Sequence, residues 1–214
     1  MKLLFISLGC DKNLVDSEEM LGMLAADGHE IVDDEDEAEV IIVNTCCFIG
    51  DAKEESVNTI LEMAEKKKAG TCKVLIVTGC MAQRYKKEIS EEIPEVDAIL
   101  GTTSYGDISK AVKEAQAGRH FEEYKSIDFL PDISGKRMLT TGGHFAYLKI
   151  AEGCDKHCTY CIIPKVRGDY RSVPMEQLLK EAKELAEGGV KELILVAQET
   201  TLYGKDLYGE KSLP

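Results

Sequence analysis

The sequence predicts two α/β units in tandem. Residues 1–118 read as a doubly wound, flavodoxin-like parallel sheet, 119–144 as a linker, and 145–214 as the first β/α units of a (β/α) barrel. Three observations predict this. Short apolar runs alternate with amphipathic stretches through the first half, the pattern of a parallel sheet covered on both faces. The periodicity fades from Gly118 to His144, where Pro131, Gly135, Gly142 and Gly143 punctuate the chain. A strand–loop–helix–strand pattern then begins.

In order, the strands expected are Leu3–Leu8, His29–Val32, Val40–Thr45, Val74–Thr78 and Ala98–Leu100. The opening MKLLFISLGC has the outline of a lipoprotein signal. Its apolar run is too short for a signal core, and it reads as a buried first strand. Asn13 is a candidate cap for a first helix with Leu14, Leu21 and Leu24 on one stripe. The acidic run Asp33–Glu39 reads as a solvated loop or short helix. Asp51 and Glu54 have capping-box spacing ahead of Val57, Ile60, Leu61 and Ala64. In the second unit, strand Phe145–Ile150 leads into a cysteine loop. A helix follows with Pro174 in its first turn, Leu178, Ala182 and Leu185 on one face, and Gly188–Gly189 as the stop. Strand Glu192–Ala197 comes next. The barrel is incomplete, so an unpaired parallel edge is expected on this last strand.

Composition excludes several classes. Of 214 residues, 44% are hydrophobic, ordinary for a globular protein. No run approaches the length of a membrane span. The net charge of −13, from 26 basic and 39 acidic residues, suits direct nucleic-acid binding poorly. Eight cysteines are too sparse for a disulfide scaffold and read as reduced ligands in a cytoplasmic protein.

Two groups of cysteines carry the chemistry. Cys154, Cys158 and Cys161 form a CxxxCxxC loop with Tyr160 before the last thiol. Thiolates are the usual ligands of iron–sulfur clusters. Three thiols on a 4Fe-4S cube leave one iron open to a non-protein ligand. A structural zinc site would want two close pairs of ligands; His157 could join the set but reads as solvated, and a disulfide plus a free thiol is the remaining alternative. Cys10, Cys46 and Cys80 each follow a predicted parallel strand, so the topology gathers them on one sheet edge. They form a candidate second triad, with Gly9 and Gly79 leaving room for close turns; the alternative is that they are buried small hydrophobes. Cys72 belongs to the opposite edge, and Cys47 points away from its neighbour Cys46. No Ser–His–Asp arrangement and no phosphate-cradling glycine loop is present.

The two triads together resemble the radical S-adenosylmethionine methylthiotransferase family. SLGCDKNLVDSE at 7–18, EGCDKHCTYCIIPKVRGDYRS at 152–172 and LVAQETTLYGKDLYG at 195–209 are similar to the branch that modifies an aspartate of small-subunit ribosomal protein S-twelve. Cys47 stands where that family usually has glycine, a difference that bears on local packing. The resemblance implies two 4Fe-4S clusters, one held by Cys154, Cys158 and Cys161 and an auxiliary one by Cys10, Cys46 and Cys80. It implies S-adenosyl-L-methionine on the open iron, where reductive cleavage gives a radical able to attack an unactivated C–H bond. It also implies a methylthiotransferase with S-twelve as substrate and an electron donor as partner. Tyr160, Gln198 and Thr200 are the candidate contacts to S-adenosylmethionine. Arg167 and Arg171 can pair with a carboxylate, of a bound molecule or within a structural ion pair. A tRNA methylthiotransferase and a non-catalytic two-cluster electron carrier are the rival readings. The 214-residue chain alone is expected to be inactive, for want of the rest of the barrel.

Overall fold

The computed structural model describes residues 1–131 and 137–213; the expected linker glycine Gly135 lies outside the described residues. The first unit runs β1 (Lys2–Ser7), α1 (Asp11–Ala26), β2 (Glu30–Ile31), β3 (Val40–Thr45), α2 (Gly50–Lys68), β4 (Val74–Gly79), α3 (Cys80–Arg84), α4 (Lys86–Glu92), β5 (Ala98–Leu100), α5 (Ile108–Gln116) and β6 (Phe121–Glu123). The six strands form one parallel sheet in the order β2-β1-β3-β4-β5-β6, the doubly wound arrangement expected.

Strands β3 and β4 are buried along their whole length because both sheet faces are covered. Ile41, Val43, Leu75 and Val77 pack with Ile60 and Met63 of α2. Val40, Ile42, Val74 and Ile76 turn the other way, onto Met20 and Leu24 of α1 and Ile108, Ala111 and Val112 of α5. Each such side chain, fully buried, contributes roughly 1.5–3 kcal/mol.

Several local expectations are corrected. The side chain of Asn13 does not cap α1, whose N-cap residue is Cys10. It is buried between strands, its amide donating to Leu8 O (2.9 Å) and Thr45 O (3.0 Å). Asp51 and Glu54 form no capping box, since α2 starts after Ile49 without a side-chain cap bond. The buried stripe of α2 is Ser56, Ile60, Met63 and Ala64, while Val57 and Leu61 face solvent. The segment expected as linker opens with β6, an edge strand whose FEE sequence carries too little apolar signal to be read as one. The acidic run is a solvated turn, with Lys2, Lys66 and Lys73 paired to its carboxylates.

The second unit comprises β7 (Phe145–Lys149), β8 (Ala151–Glu152), α6 (Ile163–Arg167), β9 (Arg171–Ser172), α7 (Met175–Glu187), β10 (Glu192–Val196) and α8 (Lys205–Tyr208). Parallel pairing of β10 with β7 gives the predicted β–loop–α–β crossover, with Pro174 immediately before α7 and Gly188 at its end. Leu178 and Leu185 seat α7 on the strands. Among the described residues β10 pairs only with β7, and its Leu193, Ile194 and Leu195 are each more than a third exposed.

The units meet along α1, which explains why that helix is buried on its polar side too. Asp16 is paired with Lys149, which also lies 2.9 Å from Glu152. Glu18 holds Arg137 at 3.0 Å, and Arg137 reaches Glu181 of α7 at 2.6 Å. Removing one partner of such a buried pair typically costs about 3–5 kcal/mol, because the other charge is left uncompensated.

Candidate metal centres

The first triad sits at the carboxyl ends of three adjacent strands. Cys10 follows β1 as the N-cap residue of α1, Cys46 follows β3, and Cys80 opens α3 straight after β4. Cys10 is exposed; Cys46 and Cys80 are buried, and all three thiols are free. Two glycines allow the approach. A Cβ on Gly9 would stand 2.8 Å from Cys46 Cβ and 3.1 Å from its Sγ, and φ there is +99°. A Cβ on Gly79 (φ +93°) would fall 2.5 Å from Thr45 O. Such contacts and dihedrals admit only glycine. Asn13 lies among the thiols, its Oδ1 3.9 Å from Cys80 Sγ.

The donor set tests whether a cluster suits this place. Only soft thiol ligands converge here, the type selected by iron–sulfur clusters and zinc. Among the described residues, no three His, Cys, Asp or Glu side chains close on one point as a single ion needs, whereas a four-iron cube is a larger body. Burial pushes the Cys80 thiol up to about 12, opposed by the nearby Arg167 guanidinium; a bound metal would displace that proton outright. The set fits a cluster.

Cys72 is at the opposite end of β4, its thiol donating to Val74 O at 3.0 Å, as its position before the strand predicts. Cys47 turns into the core and donates to Cys80 O at 3.3 Å.

The second triad lies on the loop between β8 and α6. Gly153 (φ +71°) packs so tightly on the 168–169 backbone that a Cβ would lie 2.0 Å from Asp169 O. Cys154 N donates to Gly168 O (3.1 Å), and Cys161 N closes a turn onto Cys158 O (2.9 Å). Cys158 is exposed, while Cys154 and Cys161 are half-buried. His157 has φ +44° and points to solvent, 3.9 Å from Asp169 Oδ1. Gln198 and Thr200 are half-buried after β10. The polar link from their loop to the cysteine loop is the Glu199–Lys156 ion pair, which holds the Glu199 carboxyl at about 2. Sequence reading passed over Glu199, although it stands between the two residues it singled out.

A cleft of about 390 Å³ lies between the second cysteine loop and the first unit. One wall is Phe48, just past Cys46, and Arg84, at the end of the helix that Cys80 begins; the other is Cys158, Tyr160, Cys161 and Lys165. Tyr160 is 88% exposed there. Arg167 is buried on the inner side of the same seam. Its Nη1 donates to both Glu152 oxygens at 2.9 Å, so its carboxylate partner lies within the chain. Arg171 instead donates to backbone carbonyls of Asp169 and Arg167 and lies 3.6 Å from Asp128.

Comparison with known proteins agrees with this division. Residues 2–101 match the model described as "Uncharacterized protein family UPF0004", and residues 148–212 match "Radical SAM superfamily". A "Ribosomal protein uS12 methylthiotransferase RimO" of Lachnoclostridium phytofermentans is 67% identical over 214 residues, covering 100% of this chain and 49% of that protein. The protein of the same name in Clostridioides difficile is 54% identical over 213 residues, covering 100% of this chain and 48% of its own length. That of Pelotomaculum thermopropionicum is 52% identical, with 100% and 48% covered. The chain thus spans about half the length of the curated relatives it matches. Each unit thus matches one model, and along its whole sequence the chain is similar to relatives of one name, ribosomal protein uS12 methylthiotransferase.

Proposed function

We propose that this chain is the cluster-binding part of an enzyme that adds a methylthio group to the β-carbon of an aspartate in small-subunit ribosomal protein S-twelve. The observation that carries the reading is the cleft: Cys158 and Cys161 line one wall, and the facing residues Phe48 and Arg84 lie two and four positions after Cys46 and Cys80. Cys154, Cys158 and Cys161 would hold the 4Fe-4S cluster that binds S-adenosylmethionine, and Cys10, Cys46 and Cys80 the auxiliary 4Fe-4S cluster. Bound there, the cofactors supply a radical that abstracts hydrogen from carbon, together with the sulfur and methyl to be transferred.

The protein's own contribution is positioning. Gly153 and the Cys161–Cys158 turn fix the loop, and Lys156–Glu199 ties it to the segment after β10, where Gln198 and Thr200 would meet S-adenosylmethionine with Tyr160. Arg84 and Lys165 place two positive charges on the cleft walls, suited to a substrate carboxylate. The relatives' names supply S-twelve as the substrate. No helix among the described residues is long and apolar enough to cross a membrane, in keeping with a cytoplasmic enzyme served by an electron donor.

Anaerobic reconstitution of the complete gene product should load about eight irons, four per site. Replacing Cys154, Cys158 and Cys161 with Ala should halve that number, and Cys47→Ala or Cys72→Ser should leave it unchanged. Mass mapping of S-twelve after incubation with S-adenosylmethionine and reductant should show the methylthio group on one aspartate. Complete iron loss in the triple variant would refute two sites; modification of tRNA in place of S-twelve would refute the substrate.

A further inference from the structure

One buried cation belongs to both halves of the site. Arg167 ends the short helix that begins two residues after Cys161, yet its guanidinium points away from that loop and into the first unit. It is 2% exposed. Beyond the two bonds to Glu152, its Nη2 donates to Asp16 Oδ2 (2.9 Å) and to Asn13 Oδ1 (2.5 Å). That Asn13 oxygen is the atom that lies 3.9 Å from Cys80 Sγ. The amide cannot be turned round, because its nitrogen already donates to Leu8 O and Thr45 O. Asn13 therefore presents its oxygen to the guanidinium and the thiol at once. The helix carrying Arg167 is itself docked on the first unit, with Thr102 Oγ1 donating to Val166 O at 2.7 Å.

A purely structural ion pair would need none of this. Lys149 already pairs with both Asp16 and Glu152, and Arg167 brings the four charges to balance. Balance over the quartet does not mean balance at the thiols. The Arg167 guanidinium is held on the Asn13 oxygen that lies 3.9 Å from Cys80 Sγ. A thiolate-bound cluster gains an electron when reduced, so a fixed positive charge beside it stabilises the reduced form.

We propose that Arg167 is a positioning residue for the N-terminal triad: held by Glu152 and Asp16, it sets its guanidinium against the Cys80–Cys10 side and raises the reduction potential of the cluster bound there. The inference rests on the reading of Cys10, Cys46 and Cys80 as ligands. It makes the second unit, through one side chain, part of the first unit's metal site.

The test uses the complete gene product with Cys154, Cys158 and Cys161 changed to Ala, so that a spectroscopic titration with a one-electron reductant reports the N-terminal cluster alone. Arg167→Met combined with Glu152→Gln removes one charge of each sign and leaves Lys149 paired with Asp16. This variant should keep its iron but favour the oxidised cluster at least tenfold more than the parent, a shift of about 59 mV downward. Arg167→Lys keeps the charge and should stay within threefold of the parent. Equal potentials in the parent and the Met–Gln variant would overturn the proposal and leave a structural ion pair. A tenfold drop in the Lys variant would also overturn it, and that reading remains available if the Met–Gln protein fails to fold. Absence of iron from the parent itself would instead refute the ligand reading on which the proposal rests.

Discussion

Changing Glu19 to Gln should stabilise the protein by an amount that grows as pH rises from about 4.5 and is complete above about 7. Glu19 is on the face of α1 turned towards the second unit; it is 6% exposed, and among the described residues neither carboxyl oxygen has a hydrogen-bond partner. Burial pushes its carboxyl up from the ordinary 4.5 to about 7, opposed by the attraction of Lys149. That ammonium is already committed to Asp16 and Glu152, so Glu19 is the carboxylate it satisfies least. Below pH 4.5 the group is protonated in both the folded and unfolded chains and makes no pH-dependent contribution. Between 4.5 and 7 the unfolded chain releases the proton while the folded one keeps it, so stability falls as pH rises. Each pH unit of that window costs about 1.4 kcal/mol, giving about 3 kcal/mol in all. Glutamine has the same shape and no charge to lose. Urea denaturation should therefore find Glu19→Gln and the parent within about 1 kcal/mol at pH 5, and the variant more stable by roughly 2–3 kcal/mol at pH 8. An equal gain at both pH values, or a loss at pH 8, would refute the reasoning and show that Glu19 is a needed partner of Lys149.

Two further outcomes test the packing. Ile60→Ala should cost about 2–5 kcal/mol in the same assay, whereas Leu61→Ala, on the solvent side of α2, should stay within about 0.5 kcal/mol. Gly153→Ala must displace the 168–169 backbone or abandon φ +71°, so reconstitution should show iron lost from the Cys154 site and kept at the Cys10 site.

What the sequence disclosed depended on how local the cause was. Val40–Thr45 and Ala98–Leu100 are strands at the residues expected, because a run of β-branched and aliphatic side chains between two helices has few other solutions. The cysteine positions were legible for a related reason: parallel topology alone sends the residues after β1, β3 and β4 to one edge. Asn13 and the α2 stripe were misread where a distant partner decides. An asparagine near a helix start has cap chemistry, but two carbonyls of neighbouring strand ends outcompeted the helix for its amide. On α2, apolar residues occur on adjacent stripes, and which one faces the sheet is set by the helix's rotation, not by its composition. β6 is three residues with two glutamates, and it is a strand only because β5 offers it an edge.

The helix α1 shows the same dependence and gives it a functional sense. Its sequence carries Asp16, Glu18 and Glu19 within four positions, which in isolation describes a solvated face. All three are buried, because Lys149, Arg137 and Arg167 arrive from residues more than a hundred positions later. Burying that many charges is a poor way to gain stability, since well-packed apolar side chains would do as well or better. What ion pairs and forked hydrogen bonds add is geometry, for they are satisfied in one arrangement and not in its neighbours. The residue at the start of this helix is Cys10, and the strand that delivers Lys149 leads within five residues to Cys154. A seam written in charges therefore fixes the two thiol triads relative to each other, which a greasy seam free to slide would do less sharply. Any chemistry that called on both triads would depend on that fixed relation more than on the stability of either unit.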